Sequence, residues 1–190
     1  MQSESKVPPT NSKPHHIILV GLMGAGKTSV GKTLARLMGK SFCDSDQEIE
    51  RLTGVKIPLI FEIEGESGFR LRETKVLAEL LDKEAMVLAT GGGAILAQEN
   101  RERMSSAGIV IYLRAPVSAL VKRTRRDPNR PLLQGVDPKE KLTRLFEQRD
   151  PLYREIAHIV VDTADQSVRL LASQIQSLLE GPQENGMVLK

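Results

Sequence analysis

The segment at residues 21–28 constrains the fold of this chain more than any other part of the sequence. It reads Gly-Leu-Met-Gly-Ala-Gly-Lys-Thr and fits the pattern G-x-x-x-x-G-K-[ST]. In this pattern a β-strand enters a glycine-rich loop, the loop turns its backbone N–H groups towards phosphate oxygens, and a helix follows. The flanks agree, because an apolar run at residues 16–20 precedes the loop and a helical pattern follows it. We therefore predict that the loop binds the phosphates of a nucleoside triphosphate, with ATP as the expected nucleotide.

Two side chains at the end of this loop have defined tasks. Lys27 is expected to reach the β- and γ-phosphates, and the hydroxyl group of Thr28 is expected to ligate Mg²⁺. The helix that begins here adds the positive end of its dipole to the site. Kinases and NTPase switches both use such a loop, so it does not by itself separate the two classes.

The remainder of the chain alternates between short apolar runs and helical patterns. Strands are predicted at residues 16–20, 41–43, 86–89, 109–113 and 158–161, and helices at residues 27–38, 66–81, 117–124 and 167–179. This alternation predicts an α/β domain with a parallel sheet. Ligands of such sheets bind at the carboxyl ends of the strands. The functional residues should therefore directly follow the predicted strands.

Composition limits the class of protein. The 190 residues suit one ordinary domain, and 40% hydrophobic with 27% charged residues is typical of a soluble globular chain. No apolar run approaches the roughly 20 residues of a membrane span, and the single cysteine, Cys43, excludes an internal disulfide framework. Residues 1–15 are polar and lack the apolar stretch of a secretory signal. We expect a disordered leader there, a domain at residues 16–180, a flexible tail at residues 181–190 and a cytoplasmic location.

The positive charge is concentrated in one part of the chain. The net charge is +3, but residues 114–154 hold eleven Lys and Arg residues against five Asp and Glu residues. Such a segment suggests nucleic acid or a small polyanion as ligand. Aromatic residues, which would stack on bases, are only 3% of the chain. Small phosphorylated or carboxylated ligands therefore fit better than nucleic acid.

Polar residues and glycines follow the second and third predicted strands. Asp44 and Asp46 can serve two ligands, one carboxylate supporting Mg²⁺ and the other orienting or deprotonating an attacking hydroxyl group. The alternative is that this segment only caps a helix. The glycines at residues 91–93 permit close approach of a ligand to the backbone, or form a plain flexible turn.

Three arginines are candidates for binding anions. Arg70 lies on a predicted helix, where an arginine is often merely solvated, and Arg149 lies near the end of another helix, where the dipole favours it. Arg130 lies in a stretch rich in Pro, Gly and Arg at residues 125–138. Such a stretch between two helices is typical of a mobile lid that carries a cation to a phosphate, although a solvated linker has the same composition.

Taken together, these segments resemble the shikimate kinase family, small P-loop kinases of aromatic amino-acid biosynthesis. The resemblance covers roughly residues 16–179. It rests on residues 21–28, 44–46, 65–73, 91–93, 130–133 and 149–153, in that order. It implies a three-layer α/β/α sandwich with a five-stranded parallel sheet of strand order 2-3-1-4-5 and a mobile lid at about residues 125–138.

The resemblance also implies a reaction and a role for each matched residue. The reaction is transfer of a phosphoryl group from ATP to the 3-hydroxyl of shikimate, with Mg²⁺ as cofactor. From the sequence itself we expect a monomer, since no heptad or exposed apolar stripe demands a dimer, and we expect neither nucleic acid nor a membrane as partner. The implied catalytic residues are Lys27, Asp46 and Arg130. The implied ATP site consists of Gly24, Ala25, Gly26, Lys27, Thr28, Ser29, Arg130 and Gln166. The implied shikimate site consists of Asp46, Arg70, Gly92 and Arg149, and the implied metal site of Thr28 and Asp44. Arg123 matches a basic helix position near the nucleotide.

Two alternatives remain open at this point. Another small-metabolite kinase of similar fold, such as a gluconate kinase, would share the phosphate loop, and the discriminating feature is the pair Arg70 and Arg149 beside residues 91–93. A nucleotide-dependent switch is the alternative from a different class. A GTPase would carry an Asn-Lys-x-Asp motif, which the sequence lacks, and an inactive regulator should have lost Lys27 or Asp46, which are both present.

Overall fold

Five parallel strands form the centre of the molecule. The computed structural model describes residues 15–124, 137–163 and 166–181. The strands are β1 (His16–Val20), β2 (Phe42–Asp44), β3 (Val87–Ala89), β4 (Gly108–Arg114) and β5 (Ile159–Asp162). They lie in the order β2-β3-β1-β4-β5, and every neighbouring pair is parallel. This confirms the predicted sheet and its strand order.

Helices cover both faces of this sheet. They are α1 (Lys27–Leu37), α2 (Ser45–Thr53), α3 (Ile57–Leu81), α4 (Gln98–Ala107), α5 (Val117–Thr124), α6 (Pro138–Ile156) and α7 (Val168–Glu180). All residues of β1 and β3 are buried, which explains why their sequences are apolar without alternation. The arrangement confirms the predicted three-layer α/β/α architecture.

Three helical segments differ from the sequence prediction. α3 begins at Ile57 rather than at residue 66, and it is broken at Gly65, which has φ 70° and ψ −178°. The part before the break was missed because it is apolar on nearly all sides and shows no helical stripe. α4 was missed because only Asn100 and Met104 of that helix are buried. α2 had been considered only as the alternative in which Asp44 caps a helix.

The core is mainly aliphatic, and one aromatic pair lies beside the site. Ile18, Leu88 and Ile111 on the central strands are fully buried. The rings of Tyr112 and Tyr153 are stacked with their centroids 4.8 Å apart, and both side chains are buried. Within the described ranges, no helix has the length and apolarity that crossing a bilayer requires. Most of the predicted lid, at residues 125–136, lies outside the described residues, as do residues 1–14 and 182–190.

Candidate active site

The carboxyl ends of β1, β2 and β3 open into one cleft. A cavity of about 340 Å³ lies there. It is lined by Met23, Gly24, Gly26, Lys27, Thr28, Ser29, Asp44, Asp46, Thr90 and Gly92. The residues predicted to bind phosphate therefore share a cavity with both predicted carboxylates, as expected for the edge of a parallel sheet.

The phosphate loop has the backbone that its glycines allow. Gly21, Gly24 and Gly26 have φ angles of 141°, 81° and 95°, which L side chains rarely adopt. A Cβ atom at Gly21 would also lie 2.5 Å from the backbone oxygen of Leu113. The ammonium group of Lys27 donates to the carbonyl oxygens of the loop itself, to Gly21 at 2.7 Å among them. The cation is therefore held over the loop.

The start of α1 is suited to an anion. Its N-cap, Gly26, provides no side-chain cap, and its first turn contains no acidic residue. The first N–H groups of a helix lack intrahelical carbonyl partners. Because no acidic side chain of the first turn competes for them, these groups and the helix dipole can act on phosphate oxygens.

Thr28 and Asp44 form a pair of hard oxygen donors. The Thr28 hydroxyl donates to Asp44 Oδ2 at 2.6 Å, so its lone pairs stay available to a cation. The other carboxylate oxygen of Asp44 accepts from the backbone N–H groups of Asp46 and Gln47 at the start of α2. Asp44 thus caps α2 and holds Thr28 at the same time. The sequence prediction placed Asp44 after the second strand, whereas it is the last residue of β2.

These donors fit a magnesium ion that is completed by other oxygens. In the described part of the chain, no three His, Cys, Asp or Glu side chains are grouped to hold a metal. Mg²⁺ commonly uses one or two protein oxygens and takes the rest of its octahedral shell from water and substrate phosphates. The chemistry of Thr28 and Asp44 matches that pattern.

Asp46 and Glu73 meet at Gly91. A Cβ atom at Gly91 would lie 2.6 Å from Asp46 Oδ1 and 2.5 Å from Glu73 Oε1, so only glycine leaves room for both carboxylates. Among the residues that the structure describes, neither of these buried oxygens has a hydrogen-bond partner. Burial, together with the negative charges of Asp44 and Glu73, raises the pKa of Asp46 to about 7. Asp46 can therefore both accept and release a proton near neutral pH.

Arg70 reaches the same turn from α3. Its guanidinium group donates to Glu73 at 2.7 Å and to Glu66 at 2.9 Å. These residues are spaced i,i+3 and i,i+4 on one helix face. A Cβ atom at Gly93 would clash with this guanidinium group, so a larger residue there would displace Arg70 from its present position. Burial raises the pKa of Glu73, and the charge of Arg70 opposes that shift.

Arg149 reaches the turn from α6. Its side chain is buried, and its Nη1 donates to the carbonyl oxygen of Gly92 at 3.0 Å. Burial lowers the pKa of Arg149. The two arginines thus flank residues 91–93, one against Gly93 and one against Gly92. A planar carboxylate placed between them could accept hydrogen bonds from both guanidinium groups.

Other predicted residues lie at the edge of the cleft or outside the described ranges. Arg123 donates to the carbonyl oxygen of Gly24 at 3.2 Å and to Thr163 after β5, so it links the phosphate loop to that strand end. Gln166 is exposed and lies just before α7. Arg130 lies outside the described residues.

Sequence reasoning gave no role to three residues that support the site. Ser45 accepts a hydrogen bond from the Gly91 N–H at 3.0 Å, and the Tyr153 hydroxyl donates to the Gly92 carbonyl at 2.6 Å. Glu73 holds Arg70. The spacing of Glu73 from Arg70 was a usable signal. The contacts of Ser45 and Tyr153 join distant parts of the chain and leave no local pattern.

A second cavity, of about 400 Å³, lies between α2 and α3. It is lined mainly by apolar side chains, and none of its lining residues belongs to the phosphate loop. Its lining includes none of Asp46, Arg70 and Arg149. The side chains described above therefore lie outside this second cavity.

Comparison with known proteins gives one consistent family. The family model for shikimate kinase matches residues 23–180. A shikimate kinase of Thiobacillus denitrificans is 60% identical over 157 residues, which is 83% of this chain and 86% of the relative. A shikimate kinase of Burkholderia thailandensis is 57% identical over 168 residues, which is 88% of this chain and 91% of the relative.

Solved structures agree with the sequence comparisons. The shikimate kinase from Acinetobacter baumannii in complex with shikimate has a TM-score of 0.86 and 56% identity, covering 88% of this chain and 93% of the other. A gluconokinase from Sinorhizobium meliloti has a TM-score of 0.55 at 18% identity, covering 90% of this chain and 98% of the other. At that identity the second likeness concerns the fold alone.

Proposed function

This chain belongs to the shikimate kinase family, and we propose the following residue roles for its reaction, the ATP-dependent phosphorylation of the 3-hydroxyl group of shikimate. The products are shikimate 3-phosphate and ADP, and the reaction is a step of aromatic amino-acid biosynthesis. The observation that carries the proposed roles is that Asp46, Arg70 and Arg149 converge on the glycine turn at residues 91–93, next to the phosphate loop.

The phosphate loop and the start of α1 bind the donor. The backbone and side chains of Gly24, Ala25, Gly26, Lys27, Thr28 and Ser29 surround the phosphates of ATP. Thr28 would hold Mg²⁺, since its hydroxyl group donates to Asp44 at 2.6 Å and keeps its lone pairs free for the cation. When bound, the metal neutralises phosphate charge and keeps the triphosphate in one conformation.

The glycine turn and its two arginines bind the acceptor. Arg70 and Arg149 hold the carboxylate of shikimate through charge-assisted hydrogen bonds, and the backbone at Gly92 contacts the ring. Asp46 contacts ring hydroxyl groups and orients the one that attacks. Because Gly92 also lines the phosphate cavity, an acceptor on this turn lies beside the γ-phosphate.

Transfer requires positioning and charge stabilisation more than covalent chemistry. The 3-hydroxyl oxygen forms a bond to the γ-phosphorus as the bond to the bridging oxygen of ADP breaks. The hydroxyl proton passes to the carboxylate of Asp46, whose pKa of about 7 lets it accept the proton and later return it to water. Lys27 stabilises charge on the transferring group, together with Arg130 of the lid at residues 125–138.

The remaining features of the enzyme are part of the same proposal. Gln166 contacts the adenine side of ATP, and Arg123 supports the nucleotide from α5. We expect a cytoplasmic monomer that needs neither nucleic acid nor a membrane. Analytical ultracentrifugation of the purified protein at micromolar concentration gives its molecular mass and so tests the monomeric state.

A coupled ADP-release assay with a panel of hydroxy acids tests the proposed function. We expect turnover with shikimate that depends on both ATP and Mg²⁺, and no turnover with gluconate. Asp46→Asn serves as the inactive control, since it keeps the size of the side chain and removes the charge. Turnover with gluconate and none with shikimate would contradict the proposal.

A further inference from the structure

The glycine turn at residues 91–93 is fixed by hydrogen bonds from several elements. The Gly91 N–H donates to Ser45 Oγ at 3.0 Å, and the Gly91 carbonyl accepts from the Ala94 N–H at 3.1 Å. The Gly92 carbonyl accepts two bonds from α6, one from Arg149 Nη1 at 3.0 Å and one from the Tyr153 hydroxyl at 2.6 Å. The shorter of these two bonds comes from a residue to which the reaction assigns no task.

Of the two donors on α6, only Arg149 is also expected to bind the acceptor. Arg149 is expected to donate hydrogen bonds to the carboxylate of the acceptor. The bound acceptor therefore competes with the Gly92 carbonyl for the N–H groups of Arg149. The Tyr153 hydroxyl has no such second task, and its side chain is fully buried. Burial raises the pKa of Tyr153, so the hydroxyl remains protonated and keeps donating throughout the physiological range. Because Arg149 Nη1 and the Tyr153 hydroxyl donate to the same carbonyl oxygen, the hydroxyl lies beside the guanidinium group and can help to place it.

The ring of Tyr153 is held in one position. It stacks on Tyr112 with a centroid distance of 4.8 Å and an interplanar angle of 28°. Tyr112 is tied in turn by its own hydroxyl, which donates to Asp150 at 2.8 Å. Arg149 and Tyr153 are spaced i,i+4 on α6, which places both side chains on the same helix face towards the turn. Rotation of the ring away from Gly92 would break the stacking with Tyr112, so loss of the hydrogen bond to Gly92 would also cost packing energy.

We propose that Tyr153 is a positioning residue for the acceptor, because its hydroxyl fixes the peptide between Gly92 and Gly93 and supports Arg149. The peptide is trans, so the Gly93 N–H points away from α6 when the Gly92 carbonyl points towards it. Fixing one group therefore fixes the other. The inference rests on the proposed function, since it assumes that the acceptor binds against this turn.

Two matched variants test the proposal. Tyr153→Phe removes the hydroxyl that contacts the turn, and Tyr112→Phe removes the other hydroxyl of the same stacked pair, whose partner Asp150 is not part of the cleft. Loss of one bond to a buried carbonyl is expected to raise the KM for shikimate in Tyr153→Phe by roughly fivefold to thirtyfold. The KM for ATP should change by less than about twofold, because no hydrogen bond joins Tyr153 to the phosphate loop. In Tyr112→Phe both KM values should stay near those of the wild type.

Thermal unfolding separates this role from a loss of stability. Each variant loses one buried hydroxyl, so similar decreases in Tm are expected, whereas only Tyr153→Phe should show the rise in KM for shikimate. Equal KM values for shikimate in the two variants would overturn the inference. Titration calorimetry with shikimate gives the same comparison at low temperature if Tyr153→Phe is unstable in the assay. A wild-type enzyme without shikimate turnover would instead overturn the proposed function, so the two failures are distinguishable.

Discussion

Asp46 lies among charges of both signs. Burial and the carboxylates of Asp44 and Glu73 raise its pKa, and the cations Lys27 and Arg70 lower it, with a balance at about 7. The same position that makes the carboxylate a suitable proton acceptor also makes its charge costly to the folded protein. Activity and stability should therefore respond in opposite directions when the charge is removed.

Removal of the Asp46 charge should affect turnover and leave the donor site intact. In Asp46→Asn the amide keeps the size of the side chain but cannot take the hydroxyl proton. We expect kcat to fall by about a hundredfold or more, in line with loss of general base catalysis. ATP affinity should stay near that of the wild type, because the loop and Thr28 are unchanged. Calorimetry with an ATP analogue measures this, and an equal loss of ATP affinity would show that Asp46 belongs to the donor site.

The same variant should be more stable than the wild type at alkaline pH. The folded pKa of Asp46, about 7, lies above the ordinary value of 3.8, so between these values the folded state binds more protons than the unfolded state. The contribution of Asp46 to stability is therefore fully present below pH 4 and is lost as pH rises through about 7. We expect Asp46→Asn to exceed the wild type in free energy of unfolding by roughly 2 kcal/mol at pH 8, with a smaller difference at pH 5.

Urea unfolding in metal-free buffer at the two pH values checks this sign. Glu147→Gln, an exposed change on α6, is the matched control for loss of one negative charge. A stability difference between Asp46→Asn and the wild type that does not grow with pH would show that Asp46 ionises normally in the folded protein.

The identity of the main site residues was predictable from the sequence, whereas their electrostatic properties were not. Asp46, Arg70 and Arg149 were selected because they lie at strand ends or on helices with matching motifs. The raised pKa of Asp46 could not be predicted, since it depends on burial of the carboxylate first, and then on the charges of Asp44 and of Glu73, which approaches across Gly91. That approach is set by the packing of α3 against α2 and α4, which no local pattern encodes.

At the scale of elements, the break in α3 determines how Arg70 is presented. Gly65 has φ 70° and ψ −178°, a conformation that is essentially restricted to glycine. Arg72 after the break donates twice to Glu64 before it, at 2.7 Å for each bond. The ion pair spans the break and links the two helical parts. Because Arg70 lies in the second part, the angle between the two parts sets the reach of its guanidinium towards Gly93.

Gly65→Ala should therefore weaken acceptor binding as well as stability. A Cβ atom at Gly65 meets no atom within 4 Å, so the cost is backbone strain of roughly 1 to 3 kcal/mol. If the strain is relieved by a change in the angle of α3, the KM for shikimate should rise while the KM for ATP is kept. Gly39→Ala is the matched control, since Gly39 also has positive φ (63°) and open space but lies after α1. Equal kinetics in the two variants would show that the break does not position Arg70.

The elements themselves were predictable to different degrees. The five strands are short apolar runs bounded by polar residues, and all five were predicted within about one residue at each end. The helices with a clear apolar stripe, such as α5 and α7, were also predicted. The first part of α3 and all of α4 lacked such a stripe, because one is apolar on most sides and the other is mostly exposed.

At the scale of the whole molecule, the cleft has two halves built from different parts of the chain. The donor half comes from the loop between β1 and α1. The acceptor half needs α3, the turn after β3, and α6, which meet only when the sheet is complete. The order of the strands places the turn after β3 next to the phosphate loop, since β3 pairs with β1. Ligands of either half should therefore stabilise the entire fold by mass action.

Thermal shift measurements on Arg149→Ala can test whether the two ligands bind to separate halves of the cleft. At a hundredfold excess over its Kd, either ligand should add about 2.7 kcal/mol, which raises Tm by roughly 5 to 10 °C for a chain of this size. In Arg149→Ala the shift with shikimate should be lost, because the acid loses one of its two guanidinium partners, while the shift with the magnesium complex of an ATP analogue should remain. Arg144→Ala is the control on the same helix, since Arg144 is largely exposed and pairs with Glu140 of that helix at 2.6 Å. A full shikimate shift in Arg149→Ala would mean that the acid binds away from the turn, and the acceptor half would then have to be sought elsewhere along the cleft.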